Sequence, residues 1–93
     1  MFKTNEYFDG KVKSIAFEGN DGPATVGVMA AGEYEFGTSC KEIMQLVSGT
    51  MDVKLPESNE WTPVAPGETF TVEKDQKFGV KIGEESSYLC LYK

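Results

Sequence analysis

Residues Gly32 to Gly49, GEYEFGTSCKEIMQLVSG, contain most of the local information about the fold. A glycine opens the stretch, and a short alternating run follows in which Tyr34 and Phe36 share one face. After a polar break, a second apolar run begins at Glu42 and ends at another glycine. Alternation is typical of β-strands, and glycine is typical of the turns between them. The stretch therefore predicts two strands joined by a polar turn.

The second run is the one place where a helix competes with a strand. Ile43, Met44 and Val47 have helical spacing, and several of their neighbours are good helix formers. Glycines bound the run closely, however, and the segments around it are all strand-like. We therefore expect a strand over Cys40–Val47.

The rest of the chain consists of short alternating runs separated by turn signals. Further strands are predicted over Lys11–Phe17, Ala24–Ala31, Met51–Leu55, Trp61–Pro63, Glu68–Val72, Lys77–Ile82 and Ser86–Tyr92. The last of these has apolar residues on both faces, which indicates a central strand or one covered by a partner. Gly27, inside a strand, indicates a bulge or a close backbone approach. Many short strands of this kind predict an all-β antiparallel jelly roll or barrel, as a single domain over residues 1–93.

The composition excludes several classes of function. The chain has 93 residues, nine basic against fifteen acidic side chains, and a net charge of −6. All the basic residues are lysines. Nucleic acid and anionic membrane surfaces are therefore not expected as partners, because phosphate-rich surfaces bind basic proteins. A barrel this small also has little core to spare, which makes dimerisation through a sheet edge plausible.

The absence of histidine limits the possible chemistry further. Histidine is the commonest zinc ligand and the usual acid or base near neutral pH. Cys40 and Cys90 do not have the spacing of a zinc site, and we expect them to be reduced thiols. The N-terminus carries no apolar signal segment, and no run approaches membrane-spanning length. A soluble cytoplasmic protein is expected.

The predicted strands frame two spacings that resemble the cupin motifs. Glu42, six residues and then Gly49 match the end of the first motif, and Gly67 followed by Phe78 matches the frame of the second. In metal-binding cupins the first motif has two histidines before its glutamate, and the second has one more. Here Phe36, Thr38 and Phe78 fall at or near those places. The resemblance implies a cupin without a metal cofactor.

A more specific resemblance covers nearly the whole chain. It rests on segments that occur in a fixed order: Asn5-Glu6-Tyr7-Phe8, Gly10-Lys11-Val12-Lys13-Ser14-Ile15, Val26-Gly27-Val28-Met29, Gly32-Glu33-Tyr34, Leu55-Pro56, Trp61, Gly67 and Tyr88-Leu89-Cys90. Together they resemble the pyrimidine/purine nucleoside phosphorylase family of small cupins. The resemblance implies a homodimer that cleaves nucleosides with inorganic phosphate as co-substrate, giving a free base and pentose 1-phosphate. Pro23 and Leu91 stand where arginine is expected in many relatives, so an arginine contact to phosphate is not carried over.

The resemblance also suggests how nucleoside would bind. Glu42, at the ligand position of the cupin frame, would be the catalytic carboxylate and would contact the ribose or the developing positive charge; otherwise it is an exposed carboxylate at a strand start. Phe36 and Phe78 would stack on the base, or simply fill the core. Met44 shares strand parity with Glu42 and would either fill the core or touch the substrate.

Polar groups would complete the substrate site. Thr38 and Ser39 offer hydroxyl and backbone N–H groups to phosphate in a turn, although ordinary turn chemistry is the preferred explanation of these two residues. The Tyr88 phenol, more than that of Tyr34, would donate to phosphate or base. Two other functions remain open. A non-catalytic cupin that binds a small metabolite is one, and a metal-dependent cupin enzyme is disfavoured because only Glu42 of the four usual ligands is present.

Overall fold

The computed structural model describes all residues, Met1–Lys93, and contains ten β-strands. The strands are β1 (Lys3–Tyr7), β2 (Val12–Gly19), β3 (Gly22–Met29), β4 (Gly32–Gly37), β5 (Glu42–Ser48), β6 (Met51–Lys54), β7 (Thr62–Val64), β8 (Thr69–Val72), β9 (Lys77–Ile82) and β10 (Ser86–Tyr92). The run with competing helical spacing is strand β5, as predicted. None of the elements is an apolar helix of the length needed to cross a membrane.

The strands form two antiparallel sheets. One has the order β1-β2-β3-β10-β5-β8, and the other has the order β4-β9-β6-β7. A cluster of 14 buried residues, contributed by both sheets, fills the space between them. The predicted all-β antiparallel jelly roll is confirmed. The two sheets share no hydrogen-bonded edge, so they enclose their core as a sandwich rather than as a continuous barrel.

Strand β10 lies at the centre of the larger sheet, between β3 and β5. Its inward side chains include Tyr88 and Cys90, which are 6% and 1% exposed. Its outward side chains, Leu89 and Leu91, are half-buried. The apolar residues on both faces therefore belong to a central strand, as predicted. The same alternation points Tyr88, Cys90 and Tyr92 toward the space between the sheets.

Gly27 allows β3 to approach its neighbours closely. A methyl group there would lie 2.6 Å from the carbonyl oxygen of Lys13 and 2.7 Å from the phenol oxygen of Tyr88. The pairing of β3 with β2 and β10 continues without a break through this position. Of the two predicted reasons for the glycine, the close approach is correct and the bulge is not present. Gly27 thus makes room for the Tyr88 side chain.

Strand β1 was not predicted from the sequence. It is an edge strand that pairs only with β2, and four of its five residues are exposed. A strand with no buried face has no reason to alternate apolar and polar residues, so the usual signal is missing. Its pairing places the turn that follows it, at Phe8 and Asp9, beside the open end of the sandwich.

Candidate functional site

A cavity of about 280 Å³ lies between the two sheets. Strands β2, β3, β5 and β10 supply one wall, β4 and β9 supply the other, and the turn after β1 stands at its edge. Four larger grooves, of about 450, 480, 300 and 310 Å³, contain neither Glu42 nor Cys90. The inter-sheet cavity is therefore the candidate site, because most of the chemically distinctive buried groups face it.

Glu42 begins β5 and lies opposite Tyr92 of β10. The carboxylate is half-buried, and the Cys90 thiol donates a hydrogen bond to its Oε1 over 3.5 Å. Loss of water around the carboxylate raises the pKa of Glu42, and the bond from Cys90 opposes that rise only in part. A carboxylate placed in this way interacts strongly with positive charge because little water is present to screen it.

The thiol and phenols around Glu42 remain protonated. Burial, followed by the negative charge of Glu42, raises the pKa of Cys90 to about 12. Burial also raises the pKa of Tyr88 to about 12, despite its contact with the Ser14 hydroxyl. The pKa of Tyr92 is likewise raised by burial, against the effect of a 2.9 Å hydrogen bond with Thr25. These groups therefore add no negative charge of their own to the cavity.

Aromatic rings form the opposite wall. Phe36 and Phe78 stack with their centroids 5.6 Å apart and an interplanar angle of 30°. Phe78 is 3% exposed and also contacts Phe70, so it is a core residue that reaches the cavity. Phe36 is only half-buried. Of the two predicted stacking residues, Phe36 presents more of its surface to a ligand.

The structure brings together five of the seven predicted site residues. Phe36, Glu42, Met44, Phe78 and Tyr88 all line the cavity, although Met44 and Phe78 belong to the buried core as well. Their convergence follows from strand alternation on β4, β5, β9 and β10, which aims every second side chain inward.

Thr38 and Ser39 do not line the cavity. Thr38 is buried, and its hydroxyl donates to the carbonyl oxygen of Glu73 over 2.7 Å and accepts from the backbone N–H of Gln76 over 3.0 Å. These bonds tie the chain after β4 to the turn before β9. Ser39 is exposed. The two residues therefore do not lie with the other five, and the Thr38 hydroxyl holds two loops together.

Several lining residues were missed in the sequence. Tyr92 shares the inward face of Tyr88, so alternation alone could have indicated it. Ser14 is 3% exposed on the inward face of β2, where a polar residue interrupts an otherwise apolar surface. Tyr7 and Phe8 lie at the end of an unpatterned edge strand, and no local signal marked them.

Phe8 has an unusual backbone conformation. Its φ is 54°, and that of Asp9 is 57°. This left-handed region costs a non-glycine residue about 1–2 kcal/mol, although aspartate tolerates it better than phenylalanine does. The turn projects the Phe8 ring onto the opposite sheet, where it lies 5.0 Å from Tyr34 and 5.6 Å from Phe36 between centroids.

The donor set at the cupin motif positions does not fit a metal ion. Phe36 and Phe78 offer no ligand atoms, and the Thr38 hydroxyl is already hydrogen-bonded. No group of three or more His, Cys, Asp or Glu side chains lies close enough to hold a metal. Glu35, which is exposed, and Glu42 are the acidic residues of the cavity lining, and no lysine belongs to it. An organic ligand with hydroxyl groups and an aromatic part suits these walls better.

The sequence profile of the family described as pyrimidine/purine nucleoside phosphorylase matches residues 2–92. The chain belongs to this family. A relative in Pseudomonas entomophila, named pyrimidine/purine nucleoside phosphorylase, is 61% identical over 93 residues, which is all of this chain and 99% of the relative. The resemblance noted in the sequence is thereby confirmed.

Solved structures show the same fold. A protein of unknown function from Vibrio parahaemolyticus is 40% identical and superimposes with a TM-score of 0.92, over 97% of this chain and 96% of the other. An RmlC-like cupin from Shewanella frigidimarina, at 15% identity, gives a TM-score of 0.76 over 97% of this chain and 81% of its own. The first similarity supports the family relationship, and the second shows the cupin fold alone.

Proposed function

We propose that this protein cleaves purine and pyrimidine nucleosides with inorganic phosphate, without a metal ion, and releases a free base and pentose 1-phosphate. The observation that carries the proposal is the family match over residues 2–92, together with relatives named for this activity at about 60% identity over the whole chain. The cavity supplies groups that such a reaction needs.

Glu42 is the proposed catalytic residue. As the base departs, the sugar acquires oxocarbenium character, and a nearby carboxylate stabilises that positive charge more in the transition state than in the ground state. Glu42 is half-buried, so its charge is only partly screened, and the Cys90 thiol fixes one of its oxygens. The other oxygen remains available to accept a hydrogen bond from a ribose hydroxyl.

Phosphate binding must depend on neutral donors, because no lysine lines the cavity. The hydroxyls of Ser14, Tyr88 and Tyr92 lie on the same wall as Glu42, and the raised phenol pKa values keep both tyrosines protonated. Protonated hydroxyls donate to phosphate oxygens without adding repulsion. We assign the phosphate to these three hydroxyls, and the attack on the sugar carbon to the space beside Glu42 on the same wall.

Broad tolerance for the base has support in the same lining. Asparagine and glutamine, which read base edges through paired hydrogen bonds, are both absent from it. Aromatic rings are present instead, and every base has a face on which they can stack. A site of this kind holds a base without identifying it.

The decisive experiment incubates uridine, adenosine, inosine and guanosine with and without phosphate and measures free base by chromatography. Phosphate-dependent release is expected. Glu42→Gln should lower kcat by about 100-fold or more with the fold intact, by analogy with the loss of one electrostatic group in other active sites. Glu18→Gln, at an exposed carboxylate of β2, is the matched control and should be unchanged. Release without phosphate, or none across the panel, would refute the proposal.

The lack of a cationic group in the cavity also favours a second candidate, a non-catalytic cupin that binds a small metabolite. A phosphate dianion close to the Glu42 carboxylate is repelled unless hydrogen bonds compensate. Thermal stabilisation by nucleosides with no turnover, in the presence or absence of phosphate, would favour this alternative. Stoichiometric iron, manganese or zinc in the purified protein would favour a metal-dependent cupin instead.

The proposal includes a homodimer and a cytoplasmic location. Ile15, Val26 and Leu89 form one row across β2, β3 and β10 on the outer face of the larger sheet, and Val28 and Val47 beside it are 55% and 54% exposed. This apolar face, rather than a sheet edge, is the surface we assign to the partner copy. Sedimentation should give a dimer, and Val28→Asp should give a monomer; a monomeric wild type would contradict the proposed dimer.

The proposed cytoplasmic location rests on the two free cysteine side chains, which suit a reducing compartment.

A further inference from the structure

Phe8 stands at the edge of the cavity and connects the two sheets. It follows the last residue of β1, in the larger sheet, yet its ring contacts Tyr34 and Phe36 of β4, in the smaller one. It is 43% exposed although it lines the cavity, and its neighbour Tyr7 is 47% exposed. A residue that both lines a cavity and faces solvent lies at the opening.

The backbone at Phe8 is held in a conformation that phenylalanine disfavours. Its φ is 54°, and the turn is closed by backbone N–H groups of Gly10 and Lys11, which donate to the carbonyl oxygens of Tyr7 and Phe8 over 3.2 Å each. Glycine would adopt this backbone without strain. Strained residues persist where the surroundings fix them, and such residues cluster at ligand sites.

The size of the cavity points to the opening as part of the ligand site. Its volume of about 280 Å³ lies just below the range of about 300–1,000 Å³ that is typical of small-molecule pockets. Glu42 and the hydroxyl groups would hold the sugar and phosphate on the inner wall. The base then extends toward the opening, where Phe8 and Phe36 present aromatic surface.

We propose that Phe8 is a specificity-determining residue that stacks on the base of the bound nucleoside and covers the opening of the cavity. This inference rests on the proposed function and adds a base-binding element to it. Stacking makes no use of the hydrogen-bonding edge, so Phe8 accepts both base classes. A purine offers the larger face, so it gains more from Phe8 than a pyrimidine does.

The test compares Phe8→Gly, Phe8→Tyr and Phe2→Gly. Phe8→Gly removes the ring and relieves the backbone, so loss of the fold is not expected. Phe8→Tyr keeps an aromatic ring. Phe2→Gly is the matched control, since Phe2 is 64% exposed and lies outside the cavity. For each, kcat and KM are measured for adenosine, uridine and phosphate, adenosine affinity is measured by calorimetry without phosphate, and stability is measured by urea unfolding.

Phe8→Gly should raise the KM for adenosine by about 5- to 150-fold, the range expected from loss of one stacking contact. The increase for uridine should be smaller, and the KM for phosphate should not change. Phe8→Tyr keeps an aromatic ring and should raise the KM for adenosine much less than Phe8→Gly does. Phe2→Gly should behave like the wild type. Equal effects on both nucleosides and phosphate, or none, would overturn the role of Phe8.

The binding measurement separates this inference from the proposed function. If the wild type cleaves nucleosides and Phe8→Gly is unaffected, the function stands and the role of Phe8 fails. If the wild type binds adenosine without cleaving it and Phe8→Gly weakens that binding, the phosphorylase proposal fails and the role of Phe8 stands. If the wild type neither binds nor cleaves nucleosides, both are overturned.

Discussion

Replacing Gly27 with alanine should destabilise the protein and displace Tyr88. The added methyl group would lie 2.6 Å from the carbonyl oxygen of Lys13, 2.7 Å from the Tyr88 phenol oxygen and 2.8 Å from its Cε1 atom. The first contact is with backbone in a continuous strand pair, which cannot move alone. The Tyr88 side chain, which is 6% exposed, lies directly against Gly27. These close contacts can be removed only if the Tyr88 ring moves into the cavity and strand β3 moves away from β2.

Overpacking of a well-packed interior costs about 1–3 kcal/mol. Two separate contacts at Gly27 place the expected loss in the upper part of that range, about 2–3 kcal/mol, which corresponds to roughly 10–20 °C in Tm for a domain of this size. The double variant Gly27→Ala/Tyr88→Phe removes only the contact with the phenol oxygen. It should recover part of the lost stability, because the contacts with the ring and the Lys13 carbonyl remain.

Urea unfolding followed by circular dichroism, at one protein concentration, measures this effect. Gly37→Ala is the matched control, because its nearest atom would be the Gln76 carbonyl oxygen at 3.9 Å and its φ is not in the left-handed region. That variant should be neutral or slightly more stable, since alanine loses less backbone entropy than glycine on folding. A free energy of unfolding for Gly27→Ala within about 0.5 kcal/mol of the wild type, the usual spread of surface substitutions, would refute the reasoning.

Three further results are expected. Thr38→Val should lower the free energy of unfolding by about 1–3 kcal/mol, because the Glu73 carbonyl and Gln76 N–H lose a buried partner. Thr38→Ser keeps the hydroxyl and should retain most of the stability of the wild type. An unchanged urea midpoint for Thr38→Val would contradict this role of Thr38. The raised pKa of Glu42 means that the folded protein binds its proton more tightly than the unfolded chain, so the contribution of Glu42 to stability falls as the pH rises above its ordinary pKa of 4.5. The free energy of unfolding of Glu42→Gln minus that of the wild type should therefore be larger at pH 7 than at pH 4. A difference that does not change with pH would disprove this role of Glu42. Cys90→Ala removes the thiol donor and should raise the pKa of Glu42 further, so the acidic limb of the pH–rate profile should move to higher pH. Cys90→Ser should resemble the wild type. Identical profiles for the wild type and both variants would show that the bond is unimportant.

Much of the fold could be predicted from the local pattern of apolar, polar and turn residues. Alternation and turn residues located β9 and β10 at their observed ends, and glycines at both sides of β5 outweighed its helical spacing. These signals are local, because a strand between two sheets must alternate whichever strands lie beside it. Strand β1 was missed because it lacks this signal: an exposed edge strand needs no alternation.

The residues of the candidate site could be predicted from the sequence only in part. Glu42 and Phe36 occupy positions in a motif with fixed spacing, so the sequence indicated them directly. Thr38 occupies such a position too, but its hydroxyl binds two groups in the turn before β9, about 35 residues further along the chain. No local pattern indicates which distant backbone groups a buried hydroxyl will meet.

The order of residues thus indicated nine of the ten strands, the glycine positions, the lack of histidine and arginine, and the family. Tertiary pairing decided which residues meet in the candidate site: β10 lies between β3 and β5, which places Cys90 beside Glu42 and the Tyr88 phenol over Gly27. It also carries Phe8 from an edge strand to the opposite sheet. The division has a physical cause. Strand formation depends on neighbours in sequence, whereas the meeting of these side chains depends on contacts between distant segments, such as the 48 residues that separate Glu42 from Cys90.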